Sequence, residues 1–178
     1  MPDHPDSPGI ADSQEFADSP GTSVRQAFAA WSSPPPGRLL GRGHPAGDFL
    51  EAYDWELIEE TEGHLLIEAH LPAQVRNPRG QLFGGFTPTY VDLVALLTVR
   101  AGHRSDPMTP RSWLATTNMR VDYFDPIVGP RFRIDSRLEH KRGRTVFVST
   151  RFMQDGQLAV HALTTMREMP SDRLLGDA

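Results

Sequence analysis

The 178-residue sequence contains no cysteine. This absence excludes disulfide bonds, catalysis by a thiolate and zinc sites with cysteine ligands. Long hydrophobic runs are also missing, because the longest (VALLTV, 94–99) is far shorter than the roughly 20 residues that span a bilayer. The first residues, MPDHPDSPG, have acids and prolines where a secretory signal has a basic start and an apolar centre. We therefore expect a cytoplasmic protein with no membrane partner.

The charge balance and the missing motifs narrow the function further. With 18 basic and 23 acidic residues, the net charge of -5 favours solubility and gives no support to a nucleic-acid partner. The sequence has no G-x-S-x-G elbow, no Walker A loop and no H-E-x-x-H, and its seven histidines lack ligand spacing. We therefore expect neither a metal site nor a cofactor.

The composition changes near residue 48. Residues 1–47 hold eight of the 16 prolines and six of the 15 glycines, so this stretch offers little apolar surface to offset the entropy of ordering it. We predict a disordered tail over 1–47, in which GRLLGRG (37–43) is linker, a folded domain over 48–170, and a short C-terminal tail over 171–178.

The domain has the pattern of an α+β fold. Residues 48–63 and HLLIEAHL (64–71) read as a hairpin that turns at Glu62-Gly63, and a helix is predicted with Thr87 as its N-cap and Gly102 as its stop. Four strands follow, at 112–124, 131–139, 145–153 and 157–168, with a tight turn at Asp155-Gly156. This order predicts an antiparallel sheet wrapped around one long central helix.

The predicted helix carries one acid, Asp92, among valines and leucines. A carboxylate on the exposed stripe of an amphipathic helix would be unremarkable. A helix surrounded by a sheet has only a narrow exposed stripe, however, and burying an unpartnered carboxylate is costly. Asp92 is therefore a candidate functional residue.

The segment that leads to Asp92 resembles a known family. NPRGQLFGGFTPTYVD (77–92) is similar to the signature of the hotdog-fold acyl-CoA thioesterases, above all the PaaI-like branch, which shows Asn, Gly, His-Gly-Gly and then Asp in the helix. Asn77 lies fifteen residues before Asp92 and Gly84 eight before it. Downstream, LATTNMRVDYFDPI (114–127) resembles the strand that supplies a Ser or Thr near the acid, here Thr116. The resemblance covers residues 48–168 and implies the hotdog fold and thioester hydrolysis.

The resemblance also implies a role for each residue. Asp92 would be the general base or the nucleophile, and backbone N–H groups at Gly84 and its neighbour Gly85 would hold the oxyanion. Asn77 and Thr116 would position the water or the carbonyl. Each has a plainer interpretation: Asn77 as a turn residue, Thr116 as a strand residue, and the glycines as the lead-in to a helix.

One residue departs from the family pattern, and it keeps a second function open. Phe83 stands where the family usually has histidine, so the carbonyl would be held differently in a drier, more apolar site. The first hypothesis is an acyl-CoA thioesterase, and the second is a non-hydrolytic hotdog protein that binds acyl-CoA or serves as an assembly module. A hotdog hydratase would need a histidine beside the site, which the sequence does not reveal.

Two further expectations concern the substrate and the assembly. Basic residues cluster between 131 and 151, and Arg142 and Arg144 at the KRGR turn would meet the phosphates of coenzyme A. A solvated strand face is the alternative. The family resemblance implies a homodimer or homotetramer, in which Asp92 and Thr116 of one subunit face Asn77 and Gly84 of another.

Overall fold

The computed structural model describes residues 33–102 and 112–170. Besides the helices and strands given below, these ranges contain three short 3-10 turns, at Ala52–Asp54, Ala73–Val75 and Gly84–Phe86. Among the described residues, no helix combines the length and the apolar character needed to cross a membrane. The helices and strands are α1 (Pro45–Phe49), β1 (Glu56–Thr61), β2 (His64–His70), α2 (Thr87–Arg100), β3 (Ser112–Tyr123), β4 (Arg131–Arg142), β5 (Thr145–Gln154) and β6 (Gln157–Pro170).

The six strands form one antiparallel sheet in the order β1-β2-β4-β5-β6-β3. The strands that were predicted to be linked by hairpins are neighbours, and the tight turn at Asp155-Gly156 joins β5 to β6. Helix α2 packs across one face of this sheet and contacts β2 to β6. The predicted fold class, α+β with an antiparallel sheet around one long helix, is confirmed.

The core fills the space between α2 and the sheet. Tyr90 of α2 stacks on Trp55 with 5.3 Å between ring centroids, and it also meets Phe132 and Phe152 of the sheet. Burying aromatic rings in such clusters is a large share of the stabilisation of a domain of this size.

A buried polar contact fixes α2 against the middle strands. Thr98 donates its hydroxyl to the Val94 carbonyl at 2.8 Å and lies 2.9 Å from the hydroxyl of Ser136 on β4. Ser136 in turn lies 3.0 Å from Thr150 on β5. Because each of these three hydroxyls has a partner, the contact locates the helix without leaving any of them unpaired.

The start of the packed structure differs from the prediction. Residues 33–47 belong to the predicted tail, yet Leu39 and Leu40 are fully buried in the core and Arg38 forms a β-bridge with Glu56. The two leucines supply apolar surface that the many prolines and glycines around them had obscured. The assignment of 37–43 to linker is therefore wrong, whereas 1–32 and 171–178 lie outside the described residues.

Two element boundaries also differ from the prediction. The stretch before Glu56 forms α1 and a 3-10 turn, so the first strand is shorter than predicted. Thr87 is not the N-cap of α2, because the 3-10 turn at Gly84–Phe86 runs directly into the helix and Thr87 already has helical backbone angles. The predicted stop is confirmed, since the helix ends at Arg100 and Gly102 has a φ of 80°.

Candidate active site

Asp92 lies on the side of α2 that faces away from the sheet core. Its chain neighbours Val91 and Leu93 are buried, whereas Asp92 itself is exposed in the single chain. The expectation of a carboxylate shielded by the sheet is therefore wrong for one chain alone. An exposed carboxylate on an otherwise buried helix is available to a ligand or to a second chain.

Thr116 is the direct partner of this carboxylate. Its hydroxyl donates to Oδ1 of Asp92 at 2.5 Å, which is the length of a strong charge-assisted hydrogen bond. The two residues come from different elements, α2 and β3, and are 24 positions apart in the chain. Of all the predicted site residues, this pair is the one joined by a side-chain hydrogen bond.

A β-bulge in β3 makes this contact possible. Thr116 pairs with Met166 and Asn118 with Thr165, so Thr117 is an extra residue that has no residue opposite it in the register with β6. Simple alternation would put Thr117 and Met119 on one face and Thr116 on the other. The bulge resets the alternation, so that Thr116 and Met119 both face the helix side of the sheet.

The two glycines form the start of the helix. Gly84 and Gly85 lie in the 3-10 turn, and their N–H groups meet no backbone or side-chain acceptor within 33–102 and 112–170. Free N–H groups at the positive end of a helix dipole are suited to an anion or a developing oxyanion. The predicted placement of these glycines at a helix lead-in is observed.

Aromatic rings lie beside both glycines, which remain exposed. The ring of Tyr123 lies 3.6 Å from the position that a Cβ on Gly84 would occupy, and its hydroxyl donates to the Gly84 carbonyl at 2.8 Å. A Cβ on Gly85 would lie 2.7 Å from the ring of Phe83, so the ring would have to move if this residue carried a side chain. Glycine at position 85 thus allows the observed packing of Phe83.

Phe83 belongs to a partly exposed aromatic cluster. Phe83 meets Phe86 edge to face at 5.6 Å, and Phe86 meets Phe49 of α1 at 5.4 Å. Phe83 remains 51% exposed and Phe49 39% exposed. The residue at the histidine position of the family therefore presents an apolar surface beside the glycine turn, as its side chain predicts.

Asn77 closes its own loop. Its carboxamide oxygen accepts the N–H groups of Arg79 at 2.9 Å and Gln81 at 3.1 Å, and its Nδ2 donates to Oε1 of Gln81 at 3.2 Å. These are the contacts of the turn interpretation. The loop is joined to the glycine turn by the hydrogen bond from the Phe83 N–H to the Val75 carbonyl at 2.9 Å.

Arg142 and Arg144 lie at the turn between β4 and β5, away from the glycine turn. Arg144 donates through Nε to the Glu168 carbonyl at 2.9 Å, which ties its guanidinium to β6. Arg144 lies two positions before the β5 residue that is aligned, across β6, with Thr116 of β3. Two strand spacings and two residues along the chain place Arg144 roughly 12 Å from Thr116. Both arginines are exposed.

The other arginines of the basic cluster lie on the opposite face of the sheet. A groove of about 850 Å³ there is lined by charged residues that include Arg133, Asp135 and Arg151, together with apolar residues that include Leu66 and Met153. Arg131 donates to Glu68 at 2.6 Å on the same face. This face of the sheet carries charges of both signs and is separated from Asp92 by the sheet.

One histidine near the site, His44, was not predicted from the sequence. His44 caps α1 by accepting the Gly47 N–H on Nδ1 at 3.2 Å. Burial lowers the pKa of His44, and the charges of Asp48 and Asp92 oppose this shift in part. His44 is therefore within electrostatic range of Asp92, although its sequence neighbours indicated a linker. A histidine directly before the sequence PAGD fits the N-cap position of a helix, and this local pattern could have indicated that His44 is ordered.

The fold and the sequence agree with one protein family. The sequence model of the thioesterase superfamily matches residues 79–160, which include α2 and Thr116. No curated protein matches the chain significantly in sequence. With this match and the observed fold, the resemblance to the hotdog-fold thioesterases is confirmed.

Solved structures share the fold at low sequence identity. A phenylacetic acid degradation-related protein from Ralstonia eutropha is 21% identical, with a TM-score of 0.58 over 71% of this chain and 93% of that one. A hypothetical thioesterase protein from Streptococcus pneumoniae, solved with coenzyme A, is 18% identical, with a TM-score of 0.55 over 66% and 90%. Thioesterase superfamily member 2 from Mus musculus is 18% identical, with a TM-score of 0.58 over 70% and 88%.

Proposed function

We propose that the protein is an acyl-CoA thioesterase that hydrolyses the thioester to a free acid and coenzyme A. The observation that carries this proposal is the hydrogen bond from Thr116 to Asp92 on the exposed side of α2. A carboxylate held by one hydroxyl donor keeps its second oxygen free for a water molecule or a substrate carbonyl. The thioesterase superfamily match and the neighbour solved with coenzyme A support the same reaction.

Asp92 would act in one of two ways. As a general base, it takes a proton from the water that attacks the thioester carbonyl; as a nucleophile, it attacks the carbonyl itself and forms an anhydride that water then opens. In both routes the carbonyl oxygen becomes an oxyanion, and the N–H groups of Gly84 and Gly85 would receive it. Collapse of the oxyanion breaks the C–S bond and expels the thiolate of coenzyme A. In the general-base route the thiolate takes the proton that Asp92 removed from the water. In the nucleophile route this cleavage forms the anhydride, the thiolate takes a proton from solvent, and the water that then opens the anhydride returns one to solvent.

Helix geometry supports a site built from two chains. Gly85 and Asp92 of one chain are seven residues apart on a continuous helix, which places them about 11 Å apart along its axis. Both groups cannot lie within hydrogen-bond distance of one thioester carbonyl at that separation. We therefore propose a homodimer or homotetramer in which Asp92 and Thr116 of one subunit meet Gly84 and Asn77 of another.

The relatives supply a parallel for the residue pair. The solved structures of the Streptococcus pneumoniae protein include a variant with one aspartate replaced by alanine and another with one threonine replaced by alanine. An aspartate and a threonine are also the two residue types joined by the hydrogen bond in this chain. Arg142 and Arg144 would bind the phosphates of coenzyme A, at the turn roughly 12 Å from Thr116.

The aromatic cluster favours a second candidate. A protein that binds acyl-CoA without hydrolysing it would use the exposed Phe83 and Phe49 as an apolar wall for the acyl group. A panel of acyl-CoA substrates, with aliphatic chains of increasing length and an arylacetyl group, separates the two. Release of free thiol from at least one of them at a catalytic rate is expected for the thioesterase. Saturable binding across the panel with no thiol released would establish the non-hydrolytic alternative.

Subunit mixing tests the shared site. Asp92→Asn and Gly84→Val variants, each inactive alone, should regain activity when refolded together, because half of the dimers then contain one subunit of each kind and one intact site. Roughly a quarter of wild-type activity is expected from this statistical mixing. Mixed samples that stay inactive, while each variant melts like the wild type, would show that one chain provides the whole site.

A further inference from the structure

Tyr123, the last residue of β3, contacts the glycine turn at the start of α2. Its hydroxyl donates to the Gly84 carbonyl at 2.8 Å, and the same carbonyl accepts the Thr87 N–H that closes the 3-10 turn. The phenol ring lies close to Gly84, because a Cβ there would be in ordinary contact with it, at 3.6 Å. Two donors from two elements therefore hold one carbonyl group.

Holding this carbonyl also aims an N–H group. A peptide unit is planar and trans, so its C=O and its N–H point in opposite directions. The Gly84 carbonyl belongs to the same peptide unit as the Gly85 N–H. Because Tyr123 and Thr87 fix the oxygen, the Gly85 N–H is directed out of the helix start, where it meets no acceptor among the described residues.

The hydrogen bond also strengthens that N–H as a donor. A peptide group whose oxygen accepts hydrogen bonds is polarised, which makes its N–H a better donor by roughly 10–30% per bond. An oxyanion hole works because its donors are already in position when the charge develops. Glycine has the least restricted backbone, so the Gly84-Gly85 peptide has more need of an external support than any other peptide in the turn.

We propose that Tyr123 is a positioning residue for the oxyanion hole, which acts by holding the Gly84-Gly85 peptide with its N–H turned toward the thioester carbonyl. This proposal rests on the proposed thioesterase function. Tyr123 acts through the peptide and does not itself reach the substrate carbonyl. Loss of its hydroxyl should therefore slow the chemical step and leave substrate binding nearly unchanged.

Tyr123→Phe removes the hydroxyl and keeps the ring on Gly84. We expect kcat to fall roughly 3- to 10-fold, the range that one neutral hydrogen bond supplies, with KM changed less than twofold. In the amide NMR spectrum, the Gly85 N–H should shift and exchange faster with solvent. Tyr53→Phe is the matched control, because it also removes one phenol hydroxyl. The ring of Tyr53 packs under Arg42 and not against Gly84.

The outcomes separate this inference from the function on which it depends. A wild-type protein with no thioesterase activity would refute the proposed function, and the Gly85 signal in Tyr123→Phe would still report whether the peptide is held. An active wild type whose Tyr123→Phe variant has unchanged kcat and an unchanged Gly85 signal would overturn the positioning role. A rise in KM alone would assign Tyr123 to substrate binding and overturn it as well.

Discussion

Replacing Thr116 by valine removes one hydroxyl and keeps the β-branched shape that suits a strand. The lost contact is the 2.5 Å hydrogen bond to Oδ1 of Asp92, and nothing else in the Thr116 side chain is changed. Without this donor, the carboxylate can rotate about its side-chain bonds. We expect kcat to fall about tenfold, which corresponds to about 1.4 kcal/mol of transition-state stabilisation.

Folding should be affected much less than catalysis. Thr116 and Asp92 are both exposed in the single chain, and changes to exposed residues usually alter stability by less than about 0.5 kcal/mol. Thr116→Ser retains a hydroxyl at the same position and should recover most of kcat. The assay is steady-state thiol release from the best acyl-CoA of the panel, together with chemical unfolding of each variant.

The neighbouring threonine provides the control. Thr117 is the extra residue of the bulge, and its hydroxyl donates at 3.1 Å to the Thr165 carbonyl, so it has no contact with Asp92. Thr117→Val should therefore keep wild-type kcat. A Thr116→Val variant as active as the wild type would refute the role of the hydrogen bond. A Thr116→Ser variant that loses activity while Thr116→Val keeps it would show that the β-branched shape, and not the hydroxyl, is what matters.

Three further predictions concern the core, the substrate and the pH dependence. Leu40→Ala should lower the free energy of unfolding by about 2–5 kcal/mol, because the side chain is fully buried. A loss below about 0.5 kcal/mol in chemical unfolding is typical of surface sites, and it would show that this segment is not part of the core. Replacing both Arg142 and Arg144 by glutamate should raise KM for acyl-CoA more than it lowers kcat. The control Arg137→Glu, on the opposite sheet face, should change neither constant. An unchanged KM in the double variant would exclude phosphate binding by these two arginines. Burial lowers the pKa of His44 below 6.5. As the pH falls, the imidazole is therefore protonated in the unfolded chain before it is protonated in the folded protein. The free energy of unfolding should be constant above about pH 6.5 and decline below it. His44→Asn cannot titrate and should show a shallower decline in unfolding experiments, and equal pH slopes for the two proteins would contradict the assignment.

The parts of the fold that were predictable are those with a strong local signal. The helix that carries Asp92 has a mostly apolar sequence between a glycine pair and Gly102, and each strand is bounded by turn residues. Leu39 and Leu40 were missed because two apolar residues among glycines and prolines give no periodicity. What buries them is contact with distant elements, and no local pattern encodes that.

The site was predictable in part for the same reason. Spacing relative to the family pattern identified Asp92 and Thr116, and the structure joins them. The bulge at Thr117 that brings them together leaves no trace in the sequence, because the alternation of Trp113, Met119 and Val121 continues across it without a break. Tyr123 was unpredictable, because its role depends on the distance between the end of β3 and a turn 39 positions earlier in the chain.

The most direct test of the account is the hydrolysis of a good acyl-CoA substrate by Asp92→Asn and by the wild type. The amide is nearly the same size as the carboxylate, so the melting temperature should stay level, while activity should fall by roughly 10² to 10⁴ through loss of the base or nucleophile. Asp125→Asn, in the loop after β3, is a control that should keep full activity. An Asp92→Asn variant that melts like the wild type and hydrolyses at the wild-type rate would contradict the account.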